Sequence, residues 1–203
     1  MEKNRSLCEA LSARFPDAVI ASSDWRADAT LTIRKEFLLP VAKVLKEDPT
    51  FQMDFLIDLT AVDYLTFGKQ FPAKGAYFSS GVPVTPLSQI PDENPWVPDE
   101  NPWVGPALPQ ARFEVVVHFF SLPLKHRLRL KLPVEETNLE VDSLTPLWAS
   151  ANWFEREVWD MFGIRFKGHP NLKRILMYEE FVGHPLRKDY PVNKRQPLIG
   201  PVN

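Results

Sequence analysis

The sequence predicts an α+β fold with two layers, in which helices cover one face of a mixed or antiparallel sheet. Two patterns carry this prediction. Every second residue from Phe113 to Phe119 is large and apolar, and leucines alternate with cations over residues 127–132, as in a hairpin of half-buried strands. Five apolar residues further on recur every three or four positions, which is the spacing of one helix face. They are Leu147, Ala151, Phe154, Val158 and Met161.

The N-terminal part of the chain predicts two further helices and the remaining strands. A first helix carries its apolar face from Leu7 to Phe15 and ends at Pro16, and a short apolar run follows at residues 18–21. Residues 29–34 alternate as in a half-buried strand, a second helix begins near Pro40, and residues 51–63 are typical of another strand. The expected order is α-β-β-α-β, a long loop, then β-β-α and short extended pieces.

Residues 64–111 interrupt this pattern with a proline-rich insertion. They hold nine of the chain's twenty prolines, and residues 91–97 are repeated without change as residues 98–104. A seven-residue copy is too short for a solenoid unit, so we interpret the segment as a surface loop. The alternative is that Trp96 and Trp103 anchor a partner. The predicted organisation is a domain over residues 1–163 that contains this insertion, followed by an extended docking tail over residues 164–203.

The third helix predicts one buried charge and a polar face. It should begin at Thr145-Pro146 and end at Gly163, where glycine suits a left-handed residue. Helical spacing places Glu155 among aromatic residues on the packed side, where a carboxylate needs an arginine, a backbone donor or a raised pKa. Arg174 and Arg187 are the candidate cations. Trp153, Arg156 and Asp160 fall on the opposite face, where Trp153 is either a partner contact or a single surface ring.

The tail is basic, and its prolines restrict its backbone. Residues 164–203 carry eight cations and three acids, against a net charge of −2 for the whole chain. Such a segment can bind an acidic protein surface, nucleic acid or anionic lipid, or remain a solvated strip. Gly-His-Pro occurs twice, at residues 168–170 and 183–185. The candidate contact residues in the tail are His169, Arg174, His184, Arg187, Lys188 and Tyr190.

Several classes of chemistry lack their sequence signals. The only cysteine is Cys8, and there is no glycine-rich nucleotide loop and no Gly-x-Ser-x-Gly motif. His169 and His184 have no third ligand at a set spacing, so a metal site is not predicted. No apolar run reaches the length of about 20 residues that a membrane span needs. We therefore expect a soluble, cytosolic chain without a cofactor or catalytic residues of its own.

Two long motifs resemble a known family. Residues 152–164 read NWFEREVWDMFGI and residues 183–191 read GHPLRKDYP, with FKGHP at 166–170 and RILM at 174–177 between them. These segments are similar to the C subunit of the proton-pumping NADH:quinone oxidoreductase, respiratory complex I. The layout of residues 5–63 and 112–199 is compatible with that family. Residues 66–110 depart from it, because the family usually has a short turn there.

The resemblance implies a structural subunit of the hydrophilic arm of this translocase, on the cytoplasmic side of a bacterial inner membrane. Its chief partner would be the large D subunit, which helps to form the quinone pocket, and the flavin and iron–sulfur clusters would lie in other subunits. Related hydrogenase- or ferredoxin-linked membrane complexes use similar subunits and remain an alternative. A nucleic-acid-binding module and a stand-alone hydrolase are the other classes left open. On the main interpretation, the interface residues are Trp153, Arg156, Asp160, His169, Arg174, His184, Arg187, Lys188 and Tyr190.

Overall fold

In the part of the chain that the structure describes, three helices and seven strands follow one another in the predicted order, with two short strands added near the third helix. The computed structural model describes residues 2–25, 28–66, 111–191 and 193–196. The helices are α1 (Glu2–Arg14), α2 (Leu38–Glu47, after a 3₁₀ turn over Lys35–Phe37) and α3 (Ala151–Phe162). The strands are β1 (Val19–Trp25), β2 (Asp28–Ile33), β3 (Phe55–Asp63), β4 (Phe113–Ser121), β5 (His126–Val134), β6 (Glu140–Asp142) and β7 (Arg165–Lys167).

The main sheet has five strands in the order β1-β2-β5-β4-β3. Neighbouring strands are antiparallel except for β2 and β5, which run parallel, with Leu31 opposite Leu130. The prediction of an α+β fold with a mixed sheet is therefore confirmed. The predicted hairpin is also present, with Val117 of β4 opposite Leu130 of β5. Strands β6 and β7 form a separate parallel pair on either side of α3 in the sequence.

One face of the main sheet carries the core. Phe113, Val115, Val117 and Phe119 of β4 are fully buried, as are the leucines of β5 that alternate with its cations. The buried apolar residues of all three helices belong to the same cluster, which places the helices on this face. The intervening residues of β4 and β5 point to the other face, which we call the outer face.

Two details differ from the prediction. Helix α3 begins at Ala151 and not at Thr145-Pro146, because residues 145–147 form a turn and Trp148 lies before the helix and packs in the core. Its N-cap residue, Ser150, makes no side-chain capping bond. Strands β6 and β7 were not predicted, since three residues are too few for alternation to be visible in the sequence. The predicted end of α3 is correct, because Gly163 is left-handed with φ of 79°.

The residues on either side of the insertion, which we call its root, are bonded to each other. Its interior, with the tandem repeat, Trp96 and Trp103, lies outside the described residues. At its root, the amide N–H of Tyr64 donates to the carbonyl of Arg112 at 2.8 Å, and the Arg112 guanidinium contacts Asp63 at 3.1 Å. These contacts link the end of β3 to the start of β4 without help from the residues between them.

Replacing residues 67–110 with Asn-Gly is expected to leave cooperative thermal unfolding intact. The joined root already fixes the β3–β4 register, and a shorter loop reduces the closure entropy by about 0.6 kcal/mol for each halving of its length. Differential scanning calorimetry of the shortened chain beside the full chain measures this. A broad transition without cooperativity would show that the insertion contributes to the core.

Candidate functional site

The longest sequence motifs meet where the tail crosses α3, and Asp160 is the centre of that contact. Its side chain has no exposed surface. One carboxylate oxygen accepts the backbone N–H groups of Ile175, Leu176 and Met177 at 3.1, 2.9 and 2.9 Å. The other oxygen pairs with the guanidinium of Arg174 at 2.5 Å. The prediction that Asp160 lies on an outward polar face is therefore wrong, because the tail covers it and bonds both of its oxygens.

The pKa of Asp160 lies below its ordinary value despite this burial. Burial alone would raise the pKa, but the three amide N–H groups and the Arg174 guanidinium together outweigh it. The side chain is therefore a buried carboxylate that is fully satisfied by hydrogen bonds and one cation.

Two arginines fasten the tail to α3 and to itself. The second guanidinium nitrogen of Arg174 donates to the carbonyls of Phe181 and Gly183 at 2.9 and 3.3 Å. Arg156 on α3 donates to the carbonyls of Lys173 and Arg174 at 3.0 and 3.1 Å. Both side chains were predicted to contact a partner protein, but in this structure their donors bind carbonyl groups of the tail. They fix its path over the helix.

The two Gly-His-Pro motifs hold opposite ends of α3. The Nε2–H of His169 donates to the carbonyl of Asn152 at 3.1 Å, while Nδ1 accepts the amide of Asn171, which defines the tautomer. The Nδ1–H of His184 donates to the backbone carbonyl of Asp160 at 2.9 Å. Burial, opposed in part by that carbonyl, lowers the pKa of His184. The histidines therefore serve as hydrogen-bond clamps, and the described residues contain no cluster of ligands for a metal ion.

Gly163 lets the tail approach the end of α3. A Cβ at this position would lie 2.7 Å from the guanidinium of Arg187 and from the ring of His184. The Nε–H of Arg187 donates to the carbonyl of Phe162 at 2.6 Å, and the amide of Leu186 donates to the carbonyl of Met161 at 3.1 Å. These two bonds satisfy carbonyl groups that the end of a helix leaves without partners.

The same region of the tail is tied to the root of the insertion. The amide of Lys188 donates to Asp63 at 2.9 Å, and the carboxylate of Asp189 pairs with Arg112 at 2.8 Å. Burial raises the pKa of Asp63, but the bonds from Arg112, Lys188 and Leu65 outweigh it and lower the pKa overall. Asp63 and Arg112 were not among the residues that the sequence predicted for this site. Their position at the two boundaries of the insertion was the available signal.

Tyr190 packs within the tail. Its ring stacks on Phe181 with 6.0 Å between ring centroids, and its hydroxyl contacts the amide of Gln196. A Cβ at Gly183 would lie 2.7 Å from the Tyr190 ring, so this glycine, with φ of 108°, is needed for the stacking. Arg187 and Asp189 also reach beyond their own turn, since Arg187 binds the end of α3 and Asp189 binds Arg112.

Glu155 is buried as predicted, but its partners are not cations. The hydroxyl of Ser143 and the amide N–H of Leu144 donate to its two oxygens, both at 2.6 Å. Desolvation raises the pKa of Glu155 to about 7, against the lowering effect of these two bonds. Arg174 and Arg187 were the predicted partners, and this is wrong because their guanidinium groups bind Asp160 and Phe162 instead.

Exposed apolar side chains occur on α3 and on the tail, among exposed charged residues such as Lys173, Glu179 and Glu180. Trp153 is 63 % exposed and lies 5.2 Å from the Arg156 guanidinium, while Leu176, Val182 and Leu186 of the tail are also largely exposed. The side chain of Lys188 is exposed beside them. We call Trp153, Leu176, Val182 and Leu186 the apolar set. Of the predicted interface residues, only Trp153 and Lys188 present their side chains outward in this way.

The family model for the 30 kDa subunit of respiratory-chain NADH dehydrogenase matches residues 31–196. A curated relative from Citrifermentans bemidjiense, the C subunit of an NADH-quinone oxidoreductase, is 40% identical over 98% of this chain and 97% of its own length. The corresponding C subunit of a Roseiflexus species is 37% identical over 95% of this chain and 87% of its own length.

Two solved structures share the fold. A trypsin-resistant fragment of Nqo5 matches with a TM-score of 0.55 and 25% identity, over 84% of this chain and 99% of the fragment. A chain of the archaeal membrane-bound sulfane sulfur reductase matches with a TM-score of 0.57 and 17% identity, over 94% of this chain and 87% of that chain. In the part of the chain that the structure describes, the helices are too short or too polar to cross a bilayer.

Proposed function

Because the chain belongs to the family of the 30 kDa subunit of respiratory-chain NADH dehydrogenase, we propose that it is a structural subunit of the peripheral arm of an NADH:quinone oxidoreductase. In this role it binds no cofactor and has no catalytic activity alone. Electrons pass from NADH to quinone, coupled to proton translocation, through flavin and iron–sulfur clusters in other subunits. The complex places the chain on the cytoplasmic side of the membrane.

The observation that carries this proposal is the separation of polar and apolar groups where the tail crosses α3. Arg174, His184 and Asp189 of the tail bind α3 and the root of the insertion, while the side chains of the apolar set are exposed. An extended segment that is held rigidly by its polar groups loses little further entropy when a partner binds. An exposed tryptophan on such a surface is typical of an interface centre.

The partner that this surface fits best is a large subunit with an apolar groove and acidic groups at its edge. The apolar set would fill the groove, and Lys188 would meet the acids. We assign this role to the subunit that forms the quinone pocket. The similarity to the archaeal reductase chain supports the fold alone. The co-purifying subunits would distinguish an NADH:quinone oxidoreductase from a related hydrogenase- or ferredoxin-linked complex.

The combined variant Trp153→Ala/Leu176→Ala is expected to reduce recovery of the assembled complex from the native host about tenfold or more, since central interface residues each contribute about 2 kcal/mol. The melting temperature of the purified variant should change little, because both side chains are exposed. Native gels of membranes and thermal melts of the purified chain measure these two effects.

Ile20→Ala is the matched control, since Ile20 is similarly exposed but lies on β1, away from the tail. Full assembly of the combined variant would contradict the proposed interface. Recovery of the tagged wild-type chain without any oxidoreductase subunit would contradict the proposed function itself.

A further inference from the structure

The outer face of the sheet carries a second surface patch, at the end where β3 begins and the β4–β5 hairpin turns. Phe55 is 48 % exposed and lies opposite Phe120 in the β3–β4 ladder. Leu122, at the hairpin turn, is also exposed, and its amide donates to the side chain of Asp54 at 2.9 Å. The turn is thus fastened beside the start of β3, and the exposed apolar side chains gather there.

A β-bulge adds Ile57 to this patch. The pairing of β3 with β4 shifts register between Leu56 and Asp58, so that Ile57 has no partner in the ladder. Leu56 and Leu59 both remain in the core, and the two residues between them face away from it. A bulge commonly redirects a side chain in this way at a sheet edge. Here it leaves an isoleucine partly exposed at the mouth of a cleft.

The cleft next to Ile57 is lined by cations. It has a volume of about 200 Å³, and its charged walls are Arg127, Arg129 and Asp28, with His118 between them. Arg129 reaches Asp28 only at 3.8 Å. The Arg127 guanidinium lies 5.6 Å from the centre of the Phe120 ring, and none of the described residues offers it a carboxylate. Arg129 therefore has one distant acid, none of the described carboxylates pairs with Arg127, and Asp58 lies opposite His118 in the β3–β4 ladder.

We propose that this patch is a second docking surface, which binds a segment of another subunit that carries a carboxylate flanked by apolar side chains. The carboxylate would bind Arg127 and Arg129 in the cleft, where a planar guanidinium can hold both of its oxygens. The apolar side chains would cover Phe55, Ile57 and Leu122. The inference rests on the proposed function for the presence of other subunits, but it concerns a different face from the apolar set.

Charge and shape together favour this kind of occupant. A purely apolar partner would leave Arg127 desolvated and without a carboxylate, which is costly. A small free anion would satisfy the arginines but leave the apolar side chains exposed. A protein segment with both features satisfies both parts of the patch, and complementary charge sets its register.

The test is photo-cross-linking in the assembled complex. Benzoylphenylalanine at position 55 replaces a phenylalanine with a similar side chain, and the tagged complex is irradiated, purified and analysed by mass spectrometry. We expect a product with one segment of another subunit that contains Asp or Glu beside apolar residues. Arg127→Glu should lower its yield about tenfold or more. Arg34→Glu, an exposed arginine beyond the far end of β2, is the matched control and should leave it unchanged.

Changing the identified acid to arginine in the partner should restore the product with Arg127→Glu. Three results would overturn the inference: a product with a second copy of this chain, a yield that does not depend on Arg127, or no product from an assembled complex that does cross-link from position 153. If no complex is recovered with the wild-type chain, the proposed function fails first. That outcome is distinct, because it is seen before irradiation.

Discussion

Replacing Asp160 with alanine is expected to lower the free energy of unfolding of the isolated chain by about 3–5 kcal/mol, which is typical for the loss of one member of a buried ion pair. The substitution leaves the Arg174 guanidinium without its carboxylate and removes the acceptor of three backbone N–H groups. Chemical denaturation of the purified chain measures the loss. Asp160→Asn should cost less, since one oxygen remains to accept the amides.

Glu157→Ala is the control for this experiment, because it removes an exposed carboxylate from the same helix. It is expected to change the free energy of unfolding by less than about 0.5 kcal/mol. A small effect of Asp160→Ala on the isolated chain, with a large loss of complex assembly, would return Asp160 to the interface and show that the tail docks on α3 only in the complex.

Glu155→Gln is expected to change the pH dependence of stability. The pKa of Glu155 is raised from 4.5 to about 7 in the folded chain, chiefly by desolvation. Between these two values the folded chain keeps a proton that the unfolded chain releases, so the stability supplied by this group falls as the pH rises. The contribution is fully present below pH 4.5 and is lost by about pH 7. Its total is about 3 kcal/mol.

Glutamine does not titrate, and it can keep both contacts by accepting from Leu144 and donating to the Ser143 hydroxyl. The stability of Glu155→Gln relative to the wild type should therefore rise by about 3 kcal/mol from about pH 4.5 to about pH 7.5. Urea unfolding at several pH values measures this difference, with Glu157→Gln as the control for surface charge. A difference that does not vary with pH would show that Glu155 is ionised throughout, and would point to a cation near it.

The sequence was sufficient for the elements whose periodicity extends over several residues. The alternation in β4 and β5 and the helical spacing up to Met161 are repeated signals, and the structure has those elements. The start of α3 was predicted five residues too early, because Thr145-Pro146 has the chemistry of a helix start but forms a turn. Local chemistry could not show which of two possible starts the tertiary packing uses.

The direction of the charged side chains was harder to predict. Helical spacing places Asp160 opposite the core of the domain, and the structure agrees that this side of α3 does not face the sheet. The tail, however, covers that side and supplies three amides and an arginine. A second surface formed by residues 174–187 has no periodicity, so the sequence pattern does not indicate it. Glu155 was predicted correctly as buried, because it lies among aromatic residues on the face that has periodicity.

The strand order also affects how the chain can fold during its synthesis. Among the described strands, β3 pairs only with β4 and one side of β2 pairs with β5, so both partners lie beyond the insertion. At about 5–20 residues per second, the ribosome needs about 2–9 s to add residues 67–110. The apolar strand β3 therefore leaves the ribosome earlier than β4 by that interval, and during the delay neither of its edges is paired. The insertion therefore lengthens the period in which the nascent chain is open to aggregation or to binding by a chaperone.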